Sequence, residues 1–299
     1  MEWYAIFMRQ RCVTTFCALL SLSLVSACAQ SAAGRLEQAR DLALAGHHRT
    51  SLLEARALLL SLGDERGEPQ DSVRRGTLKL AGDLCALHLD DARCAAQEYR
   101  ELVKRYPMAP ESFEARERLG DLDMRLGDVR GALAAWRDQV AAAPDHPGAD
   151  AAQLKIARAL ADRGEYFAAR GAAAELQSRW PRSPLAPAGA LLSASTFHLS
   201  GHHAEAIAAY RKVAQQFSGT RQEAEARFET GNCLVELGDD AHAVQEFTQA
   251  LGKHDSPEVV QFAMERAQRR LTMGKTVDPK NVAAVFDHFA RNSRRAVIH

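Results

Sequence analysis

Apolar residues between positions 113 and 144 recur at spacings of three and four, a pattern that predicts two amphipathic helices. Their apolar faces consist of Leu119, Leu122 and Leu126, and then of Ala132, Leu133, Trp136 and Val140. Gly127 lies between them and can adopt the left-handed backbone conformation that ends a helix. Pro144 has no amide hydrogen to donate, so it ends the second helix. The segment is therefore predicted to form a helical hairpin.

This hairpin pattern returns every 37 residues along the chain. The turn glycine recurs as Gly127, Gly164, Gly201 and Gly238. A small residue of the second helix recurs as Ala95, Ala132, Ala169, Ala206 and Ala243, and four residues later stand Tyr99, Trp136, Ala173, Tyr210 and Phe247. A fixed period of this length is typical of proteins in which each hairpin stacks on its neighbours. Because strand-like alternation is absent from this region, we predict an all-α fold.

The recurring alanine, the bulky residue after it and the flanking glycine and proline resemble the tetratricopeptide repeat. The matching pairs are Ala132 with Trp136, Ala206 with Tyr210, and Ala243 with Phe247, together with Leu119-Gly120. The sequence departs from the pattern at Asp123, at Asp90 in place of a turn glycine, and at Ala173 in place of an aromatic residue. The resemblance covers about five units. It implies a right-handed α-solenoid that binds proteins and catalyses no reaction.

The period exceeds the roughly 34 residues of the ordinary repeat, and the extra length lies at the joints between units. Proline pairs occupy these joints at Pro107 and Pro110, Pro144 and Pro147, and Pro181 and Pro184. We predict that the first proline of each pair ends one helix and the second begins the next. The lengthened joints look like those of bacterial envelope lipoproteins, such as the repeat lipoprotein of the β-barrel assembly machine and the Tol–Pal-associated division coordinator.

The first 28 residues have the character of a secretory signal. Arg9 and Arg11 precede an apolar stretch from residue 12 to residue 27, which is short and contains several Ser and Thr. The stretch ends in Val-Ser-Ala-Cys, which resembles a bacterial lipobox with the lipid attached to Cys28. An ordinary signal cleaved nearby is the alternative. Since no aspartate follows Cys28, the resemblance implies an outer-membrane location on the periplasmic face.

These patterns predict the following organisation of the chain. Residues 1–27 are a lipoprotein signal peptide, 28–34 a tether, 35–63 an N-terminal capping hairpin, 64–75 a charged loop, 76–257 five repeats, and 258–299 C-terminal capping helices with a basic tail. The 64–75 segment is assigned to a loop because it is charged, poor in apolar residues and contains Gly and Pro.

The balanced charge of the chain argues against one class of partner, nucleic acid. The 38 Lys and Arg balance the 38 Asp and Glu, so the chain has no basic excess that would favour nucleic acid. The expected partners are envelope proteins or peptide segments, with the membrane contacted through the N-terminal lipid. The sequence indicates no oligomeric state.

Two cysteines flank the turn at Asp90. Cys85 lies near the end of one helix and Cys94 near the start of its partner. An oxidising periplasm permits a disulfide between them, provided that their α-carbons come within roughly 7 Å. The sequence leaves two alternatives, a disulfide bridge and two buried thiols.

Histidines raise the question of a metal site. His198 and His202 have the helical spacing found in zinc sites, but Gly201 should end the helix between them, and no carboxylate or cysteine evidently completes the set. We therefore predict a solvated turn, no metal and no cofactor. Motifs of hydrolases and phosphate-binding loops are absent as well. The rival hypotheses are a peptidoglycan-acting enzyme built on a solenoid and a metal-responsive periplasmic adaptor.

The resemblance places the first helix of each repeat on a concave, partner-binding side. The residues predicted to line this groove are Glu114, Glu117, Asp121, Leu154, Arg158, Leu191, Ser195, His198, Glu225, Phe228 and Asn232. Asn232 can hold a peptide backbone through its amide donor and acceptor. The alternative is that these residues are merely a solvated surface.

Overall fold

The computed structural model of the protein describes residues 31–63 and 67–273. Within these ranges it contains thirteen α-helices and one π-helical turn, and no strand, which confirms the predicted all-α fold. The chain divides after Asp128 into two compact units. None of the helices in the described ranges is both long enough and apolar enough to cross a membrane.

The first unit contains five α-helices. They are α1 (Ala32–Leu44), α2 (His48–Ser61), α3 (Gln70–Asp83), α4 (Ala92–Arg105) and α5 (Pro110–Arg125). A π-helical turn, Leu84–His88, extends α3. Each helix packs on the next up to α5, and α3 also contacts both α1 and α5.

The second unit contains eight α-helices. They are α6 (Val129–Ala142), α7 (Ala149–Asp162), α8 (Tyr166–Arg179), α9 (Ala186–Leu199), α10 (His203–Gln216), α11 (Arg221–Glu236), α12 (Asp240–Leu251) and α13 (Pro257–Met273). Every helix packs on its successor. In addition α7 contacts α9, α9 contacts α11, and α11 contacts α13. The first helices of consecutive hairpins are therefore packed side by side.

The predicted turn residues adopt the left-handed conformation. Gly127, Gly164, Gly201 and Gly238 have φ angles of 79°, 77°, 78° and 80°. Asp90, which stands in the place of the turn glycine in the first repeat, also has a positive φ, of 49°. Aspartate tolerates this region better than most residues because its short side chain can bond locally. The substitution at Asp90 thus keeps the turn.

Glycines of the first helices make room for the bulky residues of the second helices. A Cβ atom on Gly82 would lie 2.5 Å from the ring of Tyr99, and one on Gly231 would lie 2.5 Å from the ring of Phe247. Both rings are fully buried. In these two hairpins the ring therefore packs directly against the first helix of its own hairpin.

Two predicted boundaries are wrong. Residues 70–75, assigned to the charged loop, belong instead to α3, which begins at Gln70. Val73 is buried there, and the buried Arg74 donates to the carbonyl of Leu62, so a charge-rich segment forms an amphipathic helix. Residues 32–34, assigned to the tether, belong instead to α1, which begins at Ala32 behind a Ser31 cap.

Several N- and C-terminal predictions lie outside the described residues. These are the signal peptide at 1–27, the lipid-bearing Cys28, and the C-terminal tail beyond Met273. At the joints, Pro110 begins α5 as predicted, while Pro147 and Pro184 stand two residues before α7 and α9.

Candidate functional site

The three acidic residues of the predicted groove lie on α5 in the first unit. Glu114 and Asp121 are exposed and Glu117 is half-buried. The Glu114 carboxylate accepts a bond from Lys79 Nζ at 2.9 Å, and Lys79 also reaches Asp83 at 2.9 Å. This part of the surface is therefore acidic on α5 but is partly neutralised by a cation from α3.

The groove residues on α7 and α9 have different environments. Leu154 is only 4 % exposed and belongs to the core, so its assignment to the groove is wrong. Ile156 and Ala157 are buried as well, so α7 is buried on more than one side. Arg158 is exposed, whereas Leu191 and Ser195 are half-buried. Of the two residues predicted on α7, only Arg158 thus remains available to a partner.

The groove residues on α11 bond within the protein. The carboxylate of Glu225 lies 2.9 Å from Nε2 of His254. The ring of Phe228 packs 5.1 Å from that of His254 and 5.7 Å from that of Phe247. Asn232 is buried, and its amide donates to Glu229 at 3.3 Å. The amide of Asn232 therefore positions Glu229, contrary to its predicted role as a clamp for a peptide backbone.

A cluster of histidine, cysteine and carboxylate side chains lies where α9, α10 and α11 meet. His198 lies in the last turn of α9, His203 begins α10, and Cys233 and Glu236 face them from α11. One oxygen of Glu236 lies 3.1 Å from His198 Nε2 and 2.8 Å from His203 Nδ1. Glu229 lies 3.7 Å from His198 Nδ1. The predicted solvated turn is therefore wrong for His198 and His203.

The geometry of the turn explains why these residues meet. The left-handed Gly201 reverses the chain, so that His198 and His203 stand on either side of the turn. Helix α11 packs against both α9 and α10, and its residues Cys233 and Glu236, three apart, share one face. His202, the predicted partner of His198, is instead exposed with its Nδ1 2.9 Å from Ser200 Oγ.

The electrostatics of this cluster favour positive charge. Burial lowers the pKa of His198, but its bonds with Cys233, Glu229 and Glu236 prevail and raise that pKa to about 12. Burial raises the pKa of the Cys233 thiol, and His198 opposes this increase. The two glutamates thus hold a cation on the imidazole beside a buried thiol.

Sequence reasoning overlooked Cys233 and Glu236 as members of this cluster. The available signal was their position on the first helix of the repeat after the His198–His203 turn. First helices of consecutive repeats pack side by side, so a residue near the end of α11 comes close to the end of α9. The repeat spacing alone does not say which side chains face each other.

The two cysteines that flank the turn at Asp90 are linked to each other. Cys85 and Cys94 form a disulfide with their α-carbons 5.8 Å apart, within the range that a bridge requires. It links the π-helical turn after α3 to the first turn of α4.

Comparisons with known proteins identify the repeats. A family model described as tetratricopeptide repeat matches residues 86–147, 117–187, 154–220 and 200–258. No curated protein matches the chain. Among solved structures, the C-terminal part of a repeat-containing protein from Cytophaga hutchinsonii is similar at 13 % identity and a TM-score of 0.58, covering 87 % of this chain and 98 % of that one.

A structure of MamA is also similar, at 20 % identity and a TM-score of 0.50, with 62 % of this chain and 94 % of that one covered. At sequence identities this low, the similarity to both structures shows a shared fold and nothing about function.

Proposed function

Because the chain belongs to the tetratricopeptide repeat family, we propose that it is a non-catalytic scaffold that docks proteins or peptide segments. The observation that carries this proposal is the side-by-side packing of α7, α9 and α11. Equivalent side chains of these helices, 37 residues apart, then form rows along one surface. Rows of this kind offer a partner many weak contacts at once, without a catalytic pocket.

The docking surface that we propose on the second unit combines apolar and polar groups. Its members are Arg158 on α7, Leu191 and Ser195 on α9, and Glu225 and Phe228 on α11. Leu191 and Phe228 occupy the same repeat position and are half-buried, so each presents part of an apolar side chain. Arg158 and Glu225 add opposite charges. Such a surface suits an extended segment with apolar anchors and both signs of charge.

Site-specific photocrosslinking in cells tests this surface. A photoreactive residue at position 158 or 195 is expected to form an adduct with the same partner, because both positions lie on first helices. Asp138, an exposed residue of the second helix α6, is the matched control and should form no such adduct. The Leu191→Asp substitution should abolish the adduct at position 195. Equal crosslinking at all three positions, or none at 158 and 195, would contradict the proposal.

We also propose that the scaffold is tethered to the periplasmic face of the outer membrane through lipid on Cys28. The lipobox-like sequence before Cys28 supports this location. The disulfide between Cys85 and Cys94 supports it as well, since disulfides persist in oxidising compartments. Several acyl chains, each contributing about 0.8 kcal/mol per buried methylene, anchor a protein stably where one chain does not. Candidate processes are barrel assembly, coordination of wall synthesis with division, and assembly of a secretion or motility complex.

Metabolic labelling tests the anchor. Cells given labelled palmitate should incorporate it into the wild-type chain and into a Cys233→Ala variant, whose substituted cysteine is buried. The Cys28→Ala variant should carry no label and should leave the membrane fraction. Label that persists in Cys28→Ala would exclude this attachment site.

The rival enzymatic hypothesis has its own assay. Purified protein incubated with peptidoglycan should release no soluble muropeptides if the scaffold is non-catalytic. Release that depends on the repeats would replace the scaffold proposal with a wall-degrading activity.

A further inference from the structure

We propose that His198, His203, Cys233 and Glu236 bind a zinc ion where α9, α10 and α11 meet. The ligand atoms of His198, His203 and Cys233 all lie within 4.8 Å of one another. Glu236 is the carboxylate that we assign as the fourth donor: one of its oxygens lies 3.1 Å from His198 Nε2 and 2.8 Å from His203 Nδ1, and it would have to shift towards Cys233 to complete the set. The proposal adds a metal site to the scaffold and does not depend on which partner it docks.

The donor set selects the metal. Two imidazoles, one thiolate and one carboxylate form a tetrahedral set that suits Zn²⁺. Mg²⁺ and Ca²⁺ require oxygen donors and usually more of them, and a thiolate favours the softer transition metals. We therefore expect zinc to bind in clear preference to Mg²⁺ and Ca²⁺.

The distances require only small adjustments of the side chains. With metal–nitrogen bonds of about 2.0 Å and a metal–sulfur bond of about 2.3 Å, tetrahedral ligand atoms lie roughly 3.5 Å apart. His198, His203 and Cys233 already approach within 4.8 Å. His198 and His203 are half-buried near helix ends, where rotation of the imidazole about its side-chain bonds can close the remaining gap. Cys233 is fully buried on α11 and fixes the position of the sulfur.

The metal replaces protons on its ligands. Zn²⁺ binds a neutral imidazole and a thiolate, so binding releases the thiol proton of Cys233, and any proton held on a ligating nitrogen, to the solvent. The new bonds join the metal to imidazole nitrogens, the thiolate sulfur and a carboxylate oxygen. Glu229, which already lies 3.7 Å from His198, remains beside the site as an outer carboxylate of the kind that orients metal-bound histidines.

The ion would join two repeats. Helices α9 and α10 belong to one hairpin and α11 to the next, so one metal ion connects three helices across a repeat boundary. Repeat proteins depend on such nearest-neighbour interfaces for their stability. Zinc should therefore raise the unfolding temperature of the second unit as well as binding to it.

Calorimetric titration of the full-length chain tests the site. The protein is stripped with a chelator, kept free of thiol reductant so that the Cys85–Cys94 disulfide is preserved, and titrated with zinc chloride. We expect one zinc ion per chain and a raised unfolding temperature. His203→Ala and Cys233→Ser should each weaken binding at least about tenfold. His202→Ala and His242→Ala are matched controls, because both histidines are exposed, and they should bind zinc as the wild type does.

Cobalt substitution tests the sulfur ligand directly. Co²⁺ in the wild type should show the visible bands of a tetrahedral complex and a sulfur-to-cobalt charge-transfer band, and Cys233→Ser should lack the latter. Circular dichroism establishes that each variant is folded, and His203→Ala carries the test if Cys233→Ser is not. No zinc binding by the wild type, equal loss in His202→Ala, or a charge-transfer band that survives in folded Cys233→Ser would overturn the proposal.

Discussion

Cys85 and Cys233 occupy the same position of the repeat, four periods apart, and have different chemistry. Each stands five residues before the left-handed residue of its turn, Asp90 in one case and Gly238 in the other. Both are fully buried. However, Cys85 forms a disulfide, whereas Cys233 is a free thiol beside His198.

The difference comes from the neighbours. Cys85 finds Cys94 nine residues further along, across its own turn. The residue nine positions after Cys233 is His242, which bonds to Asp239 instead. Cys233 therefore meets histidines of the preceding repeat. At this repeat position both cysteines are buried, and the residues facing each of them decide its chemistry.

Of the two hairpins that contain these cysteines, α3–α4 has a disulfide and α11–α12 has none, and we expect this difference to have the largest effect on stability. Replacing both partners, Cys85→Ala with Cys94→Ala, should destabilise the first unit by about 2–3 kcal/mol, because the bridge restricts the unfolded chain. Cys233→Ala should cost only about 1 kcal/mol for lost packing. Chemical denaturation followed separately for each unit measures both. Similar losses in the two variants would mean that the bridge adds nothing beyond packing.

The two hairpins share a close contact between a glycine and a ring. Gly231→Ala should destabilise the last hairpin by about 1–3 kcal/mol, because the new Cβ atom would lie 2.5 Å from Phe247 and force the ring to move. Gly171 lies within α8 with no atom within 4 Å of a Cβ. Gly171→Ala should therefore stabilise by about 0.5–1 kcal/mol. Thermal unfolding distinguishes the two, and equal effects would refute the packing argument.

The hairpins also differ in charge at the start of their first helices. The amide of Gly219 lowers the pKa of Glu223, burial opposes this, and Lys253 and Arg227 lower it further, to about 2. Arg75 stands four periods earlier, paired with Glu68. Without these contacts the pKa of the Glu223 carboxyl group would be 4.5. The ionised carboxylate therefore stabilises the folded protein fully above about pH 4.5, and this stabilisation is lost as the pH falls towards 2.

Comparison with Glu223→Gln over pH measures this contribution. The variant should be less stable by about 1.5 kcal/mol at pH about 7, as expected for lost hydrogen bonds to a charged group. The difference in unfolding temperature should shrink below pH about 4.5. A difference that is independent of pH would show that the charge of Glu223 is not its source.

The ring itself also differs between the two hairpins. Tyr99 Oη donates to Asp83 at 2.6 Å, whereas its counterpart Phe247 has no hydroxyl. Tyr99→Phe should cost about 1 kcal/mol, because Asp83 keeps its contacts with Lys79 and Arg118. Denaturant titration provides the measurement. A loss above about 3 kcal/mol would indicate that the ring, and not only its hydroxyl, is displaced.

Much of the architecture follows from local rules repeated at a fixed spacing. The glycines and Asp90 predicted at the turns all have positive φ angles, and the alanine row from Ala95 to Ala243 is buried. These features depend on a few neighbouring residues and on the backbone conformations that each residue type can adopt. The loop predicted up to Arg75 is wrong because the prediction relied on the high charge content of the segment. The few buried residues of α3, such as Val73, were too sparse to indicate a helix.

The amino-acid sequence alone determined the helical hairpins, their 37-residue period and their turn residues, because each depends on contacts within a few residues. Only the tertiary structure placed Leu154 in the core, turned Asn232 towards Glu229 and brought Cys233 to His198 and His203. The burial of Leu154 and the meeting of Cys233 with His198 and His203 involve different helices, whereas the Asn232–Glu229 bond lies within α11. The first two depend on how each helix is rotated against its neighbours, and repeat spacing alone does not specify that rotation.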